Sequence, residues 1–117
     1  IVNADFKQQT GSQLLLSCSQ GAITTGSNIV CAFASSSGNS AVFDYHITST
    51  GGAMRSGQII AVWDGTVATY TEYSTPDLNG STAPFRFNVR VAGGQLVVEC
   101  SVASGTWKAH IGTRIVF

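Results

Sequence analysis

The C-terminal third of the chain alternates so regularly between apolar and polar residues that it constrains the fold more than any other feature. Between residues 85 and 91, phenylalanine and valine alternate with arginine and asparagine. Successive side chains of a β-strand point to opposite faces, so such a segment has one buried and one solvated face. The alternation returns in residues 95–103 and 106–117, each time after a glycine-containing turn. The sequence therefore predicts a β-meander here.

The rest of the chain carries further short segments of strand-like composition, and no helical periodicity is sustained. We predict strands at residues 14–17, 29–34, 41–49, 57–64, 66–73, 84–92, 95–103 and 106–117. Glycine, asparagine and serine separate most of these segments. Many short strands joined by tight turns are typical of sandwiches and barrels. The predicted fold is thus all-β, an antiparallel, jelly-roll-like β-sandwich of about eight short strands.

The predicted organisation is an N-terminal connector or arm at residues 1–28 and one sandwich domain at residues 29–117. Within the first segment, residues 2–13 are polar and weakly patterned, with a break at Gly11-Ser12. It suits either a connector to a preceding domain, which we favour, or an arm that pairs with another chain. Because the chain opens with Ile1 and shows no signal segment, we expect a fragment of a longer polypeptide or a processed product.

Low charge sets the expectations about partners. Charged residues make up 10% of the chain, six cationic and six anionic, against about 25% in an average soluble domain. This balance cannot build the basic field that nucleic acids require, and no stretch approaches the ~20 apolar residues of a membrane span. We predict no nucleic-acid partner and no membrane insertion. Since charge keeps small domains apart in solution, its scarcity favours self-association.

The three cysteines are Cys18, Cys31 and Cys100. An odd count without CxxC spacing argues against both a disulfide framework and a zinc site. Each lies in an apolar or alternating stretch, as expected of a small buried hydrophobe. We therefore predict three thiols and a reducing compartment, with one Cys18–Cys31 bridge as the alternative, and no metal or other cofactor.

A core can be predicted from the strand faces. It consists of Phe43, Tyr45, Ile47, Ile59, Ala61, Trp63, Phe85, Phe87, Val89, Val91, Leu96, Val98, Val102, Trp107, Ile111 and Ile115. The opposite face of the run 59–63 is also apolar, because it carries Ile60 and Val62. We expect that strand to be covered on both sides.

Candidate catalytic groups are few, and none of the familiar catalytic or phosphate-binding motifs occurs. Asp44 and His46 share one strand face, where His110 could join them; polar side chains on a solvated face are the interpretation we favour. Glu72 and Asp77 could form a hydrolytic pair, although the other carboxylates are equally eligible. We predict that the protein is not an enzyme.

A ligand site is harder to exclude. Loops carry recognition more often than strands do, and the longest predicted loop spans residues 74–83. Its candidate ligand-binding residues are Tyr73, Asp77 and Asn79, whose ring, carboxylate and amide suit sugar hydroxyls. A merely solvated loop is the alternative, and the residues alone favour it.

The layout of residues 41–117 also carries a resemblance. An aromatic strand, VFDYHI, precedes the segment RSGQIIAVWDGT; a TYTEY strand, a short glycine-turned hairpin and a GTW strand follow. This resembles the small β-sandwich module of bacteriophage and prophage virion proteins, particularly the C-terminal regions of tail fibres and tailspikes. The resemblance implies homotrimeric packing about a fibre axis, in a virion assembled in the cytoplasm of the host bacterium.

Two classes of function follow as hypotheses. The first is a phage virion structural module, in a tail fibre, tailspike or related projection, that contributes homo-oligomerisation, contacts other virion proteins and touches a host receptor such as a cell-surface glycan. A capsid decoration or head-fibre protein is a variant of this hypothesis. The alternative is a carbohydrate-binding module of a bacterial secreted or surface protein.

Overall fold

The computed structural model describes residues 5–10 and 13–116, with side chains from residue 15 onward. Within these ranges the chain forms nine strands: β1 (Asp5–Thr10), β2 (Gln13–Ile23), β3 (Gly26–Ala34), β4 (Ser40–Ser49), β5 (Met54–Trp63), β6 (Ala68–Ser74), β7 (Phe85–Ala92), β8 (Gln95–Val102) and β9 (Trp107–Val116). One 3-10 turn, Ser35–Ser37, joins β3 to β4. None of the described residues forms a helix long and apolar enough to cross a membrane.

The strands form two antiparallel sheets. The larger has the order β1-β2-β9-β4-β5-β6 and the smaller the order β3-β8-β7. The chain passes from one sheet to the other between β2 and β3, β3 and β4, β6 and β7, and β8 and β9, so the sheets enclose one core. The predicted all-β antiparallel sandwich is confirmed.

The N-terminal segment takes part in this architecture. β2 pairs with β9 from Gln13 opposite Val116 to Ile23 opposite Trp107, and β1 pairs with the outer edge of β2. Leu16 and Cys18 lie in the core. The division predicted at residues 28 and 29 stays a prediction about domain organisation. Residues 13–23, however, form a strand of the six-stranded sheet and do not run away from the domain as a connector would. Residues 1–4 of the predicted arm and the predicted break at Gly11-Ser12 lie outside the described residues.

The core matches the sequence-based prediction closely. Every predicted core residue is buried except Val91, which is partly buried and packs against the others. An aromatic cluster lies around Phe85, whose ring centroid is 5.0 Å from that of Phe87 and 5.5 Å from that of Trp107. Trp107 is only 2% exposed, and its indole Nε1 donates a hydrogen bond to the Ser104 carbonyl at 2.9 Å. The two sheets are therefore joined by large rings at this end.

The expectation that β5 is covered on both faces is wrong for the isolated chain. Ile60 and Val62 are 44% and 51% exposed. The smaller sheet packs against the opposite face of β5, where Ile59 and Trp63 are buried. The outer face of the larger sheet therefore presents apolar side chains to solvent.

The thiol prediction is wrong for two of the three cysteines. Cys18 on β2 and Cys31 on β3 form a disulfide, with their Cα atoms 5.7 Å apart, that links the two sheets. Cys100 is a buried free thiol, and burial raises its pKa to about 11. The expected reducing compartment rested on three thiols, so this argument for it no longer holds.

One buried hydroxyl lacks a partner among the described residues. Thr113 on β9 is buried, and its Oγ1 neither accepts nor donates a hydrogen bond to any described residue. An unsatisfied buried polar group costs roughly 1–3 kcal/mol. We expect Thr113→Val to raise the free energy of unfolding by about 1 kcal/mol, measured by denaturant titration.

The matched control for this substitution is Thr82→Val. The equally buried Thr82 hydroxyl accepts a hydrogen bond from Arg55 Nη1 at 3.0 Å and donates one to Asp77. Its loss should lower the free energy of unfolding by about 1–3 kcal/mol. A Thr113→Val midpoint below that of the parent would contradict the assignment of an unsatisfied hydroxyl.

Candidate functional site

The register of the larger sheet aligns side chains from five strands across its outer face. Directly opposed residues of antiparallel strands place their side chains on the same face. One such row runs from β2 through β9, β4 and β5 to β6 and consists of Ser17, Gly112, Asp44, Gln58 and Tyr73. With strands about 4.8 Å apart, the row is about 19 Å long.

Three adjoining shallow depressions that share Asp44 follow this row, and we call them together the outer groove. On the β2 and β9 side of Asp44 its lining includes Ser17, Ser19, His110 and Gly112, and His46 of β4 borders the same part. Leu15 and Arg114 border the same part. Beyond β4 it continues along Ser56, Gln58, Tyr73 and Thr75. The polar groups that border the groove are hydroxyl, imidazole and amide groups around the Asp44 carboxylate, and the surface between them is largely apolar.

Hydrogen bonds hold several of these groups in place. Asp44 Oδ1 accepts a hydrogen bond from Gln58 Nε2 at 3.0 Å. The His46 ring shares one hydrogen bond with Ser56 Oγ at 2.7 Å and another with Thr48 Oγ1 at 2.9 Å. His110 lies directly opposite His46 across β4 and β9 and is exposed. The structure therefore brings Asp44, His46 and His110 to one surface, while no group of three or more His, Cys, Asp or Glu residues in the described parts of the chain could hold a metal ion.

Gly112 forms the floor of the groove between Ser17 and Asp44. A Cβ built there would meet no atom within 4 Å, and its backbone does not require glycine. Gly57 on β5 is different, because a Cβ would come 2.3 Å from the Tyr73 carbonyl and 2.7 Å from the Tyr45 hydroxyl. Packing therefore explains Gly57, but neither packing nor backbone geometry explains Gly112.

The three sequence-predicted ligand residues are placed differently. Tyr73 lines the outer groove and is 62% exposed. Asp77 instead accepts hydrogen bonds from the Thr82 hydroxyl and, at 2.9 Å, from the Thr82 N–H; these bonds lower the pKa of Asp77. Asn79 occupies a left-handed turn position, with φ of 62°. The structure does not bring Asp77 or Asn79 into the groove with Tyr73.

A second polar cluster lies at the open side of the sandwich, between β6 and β7. Arg55 Nη2 is 3.3 Å from Glu72 Oε2, and Arg55 Nε donates to the Tyr45 hydroxyl at 3.2 Å. Tyr45 donates in turn to Glu72, and burial, together with this hydrogen bond, raises the pKa of Tyr45 to about 12. Arg55 also reaches the Thr82–Asp77 pair, so the cluster fastens the loop after β6 to the sheet. Glu72 and Asp77 are thus joined through Arg55 and Thr82, and both carboxylates are engaged by these partners.

These features define the chain as an antiparallel β-sandwich with a groove, bordered by polar side chains, on the outer face of its larger sheet. No protein-family model and no curated protein matches it. Among solved structures, it is similar to the tailspike protein gp49 from Acinetobacter baumannii bacteriophage Fri1, a capsular polysaccharide depolymerase, with a TM-score of 0.53 and 7% identity.

The alignment covers 97% of this chain and 20% of the tailspike. At this identity the likeness shows a shared fold alone. The finer resemblance to tail-fibre modules thus rests on the motifs quoted above.

Proposed function

We propose that the chain is a structural module of a phage virion, in a tail fibre, tailspike or related projection, that assembles as a homotrimer and contacts the host surface. The observation that carries this proposal is an exposed apolar patch on the larger sheet. The patch consists of Val42, Ile60, Val62 and Val116. The last three are exposed, and Val42 is partly buried.

The register explains why these side chains form one surface. Val42 lies opposite Ile60, while Ser40 lies opposite both Val62 and Val116. The patch thus crosses β9, β4 and β5 on the same face as the outer groove. Beside it runs β6, an edge strand whose outer side has no partner strand in the described parts of the chain. An exposed apolar surface next to an open strand edge favours association with another chain.

The charge of the chain is compatible with a second copy of itself as the partner. The net charge is zero, so identical chains do not repel each other over long distances. A threefold arrangement repeats one contact between two different surfaces of each subunit, and an open edge beside an apolar patch provides such surfaces. The number three comes from the resemblance to phage fibre modules, and the fold shared with a tailspike supports the same setting. Other virion proteins would bind at the remaining surfaces.

Sedimentation equilibrium over a wide concentration range tests the assembly. We expect the parent chain to sediment as a trimer at micromolar concentration. We expect the double variant Ile60→Thr, Val62→Thr to shift toward the monomer, because it replaces the centre of the patch with residues that keep strand propensity.

The matched control is Leu78→Thr. Leu78 is also exposed, but its bridge to Met54 puts it beside the opposite end of β5 from Val62. The Leu78→Thr variant should have the same sedimentation mass as the parent chain. A well-folded parent of monomer mass would contradict the trimer.

The disulfide favours a second candidate function, a carbohydrate-binding module of a bacterial secreted or surface protein. Bridges such as Cys18–Cys31 persist in oxidising surroundings. A monomeric parent that binds a glycan would support this alternative. In either setting we assign no catalysis to the chain, since the depolymerase activity named for the tailspike belongs to a protein of which this chain spans a fifth.

A further inference from the structure

We propose that the outer groove binds an uncharged oligosaccharide laid across β2, β9, β4, β5 and β6, with Gly112 as the floor on which one sugar ring rests. This inference deepens the host contact proposed above and rests on it. It concerns strand residues of the larger sheet, whereas the loop residues Asp77 and Asn79 take no part.

Gly112 provides the first argument. Glycine weakens the interior of a strand, because its backbone loses more conformational entropy on folding than that of other residues and because it supplies no side chain for packing. Such a residue is expected where a bulge, a positive φ or a close approach demands it, and none of these applies to Gly112. The further reasons for a glycine in a strand are the close approach of a ligand or of another backbone, and we assign Gly112 to a ligand because polar side chains surround it. The open space above Gly112, between Asp44 and Ser17, is where the ligand would lie.

The polar groups of the groove provide the second argument. Asp44, fixed by Gln58, presents an acceptor to hydroxyl donors, and Ser17 and Ser19 supply groups that donate and accept. His46 is fixed by two hydroxyl neighbours that occupy both of its ring nitrogens, so it offers a ligand a fixed ring face and no further hydrogen-bonding nitrogen. Sugars, which carry a hydroxyl on most ring carbons, match such a mixture of donors and acceptors.

The Tyr73 ring and the charges of the groove favour an uncharged sugar over other ligands with hydroxyl groups. The exposed Tyr73 ring at the β6 end offers an apolar face with a polar edge, which suits the face of a sugar ring. Asp44 and Arg114 are opposite charges in the same depression, so its formal charge is zero with neutral histidines. An acidic polymer would meet Asp44 at the centre. The row is about 19 Å long, which accommodates several linked sugars.

Titration calorimetry with dextran, galactan and mannan oligosaccharides tests the proposal, with hyaluronan as the acidic comparison. We expect one of the neutral oligosaccharides to bind. We expect Gly112→Thr to weaken that binding at least tenfold, because its side chain fills the floor between Asp44 and Ser17. The melting temperature of this variant should stay equal or rise, since threonine suits a strand better than glycine does.

Gly65→Thr is the matched control, because Gly65 also faces open space without a positive φ but lies in the turn after β5. It should leave the affinity unchanged. Binding of hyaluronan alone, binding of no oligosaccharide, or undiminished binding by Gly112→Thr would overturn the proposal. Sedimentation of the same samples distinguishes the homotrimer proposal from the oligosaccharide-binding proposal. A trimer that binds no sugar refutes only sugar binding in the outer groove, and a monomer that binds sugar refutes only the trimer.

Discussion

Trp107→Ala is expected to lower the free energy of unfolding by about 3–5 kcal/mol. The ring is almost completely buried at the start of β9, where it packs on Phe85. Its removal leaves a cavity between the sheets and also leaves the Ser104 carbonyl without the indole donor. A loss of this size is comparable with the total stability of a small domain, so the variant should be largely unfolded near its former melting temperature.

Chemical denaturation of Trp107→Ala beside Val67→Ala measures the effect. Val67 is a large exposed apolar residue in the turn before β6, and its truncation should change the free energy of unfolding by less than about 0.5 kcal/mol. If Trp107→Ala melted within a degree or two of the parent, the ring would be solvated and the register of β9 would be wrong.

Reduction of the Cys18–Cys31 disulfide is expected to cost about 3 kcal/mol of folding stability. The bridge closes a loop with a sequence separation of 13 residues and joins strands of opposite sheets. Its main effect is to restrict the unfolded chain, which regains conformational freedom once the bond is broken. Thermal unfolding with and without reductant, compared with the double variant Cys18→Ala, Cys31→Ala, measures the contribution.

The double variant should be insensitive to reductant, since its remaining cysteine is a thiol in either condition. A thiol count on the denatured, unreduced parent provides an independent test. One reactive group, Cys100, is expected. Three reactive groups would restore the sequence-based prediction of free thiols and remove the disulfide from the argument for an oxidising environment.

The C-terminal strands could be predicted well because their alternation is local information. In β9, every second residue from Trp107 to Ile115 is buried, as the pattern predicts. The partner of a strand is not local information. Cys18 and Cys31 meet because β2 and β3 lie in different sheets that face each other, and spacing along the chain did not reveal this. The apolar outer side of β5 was equally visible in the sequence, but its exposure depends on what packs over it.

The candidate site was predictable only in part, for the same reason. Asp44 and His46 could be assigned to one face of a strand, yet the alignment of His110 opposite His46 required the register of β4 and β9. Gly112 occupies a position on the exposed, mainly polar face of β9, and the alternation alone does not distinguish it from its neighbours there. Its lack of a structural role became visible only when the space above it was known. Asp77 had the right chemistry for a ligand but satisfies the backbone and hydroxyl of Thr82 instead.

The position of β9 has a consequence for how the chain folds. β9 follows every other described strand in sequence, yet it lies between β2 and β4 in the middle of the larger sheet. Its hydrogen bonds join segments that are far apart along the chain, a topology associated with slow folding. Until β9 docks, the facing edges of β2 and β4 remain open to strands of other molecules. We expect the insertion of β9 to be the step at which correct closure competes with strand exchange between chains and with aggregation.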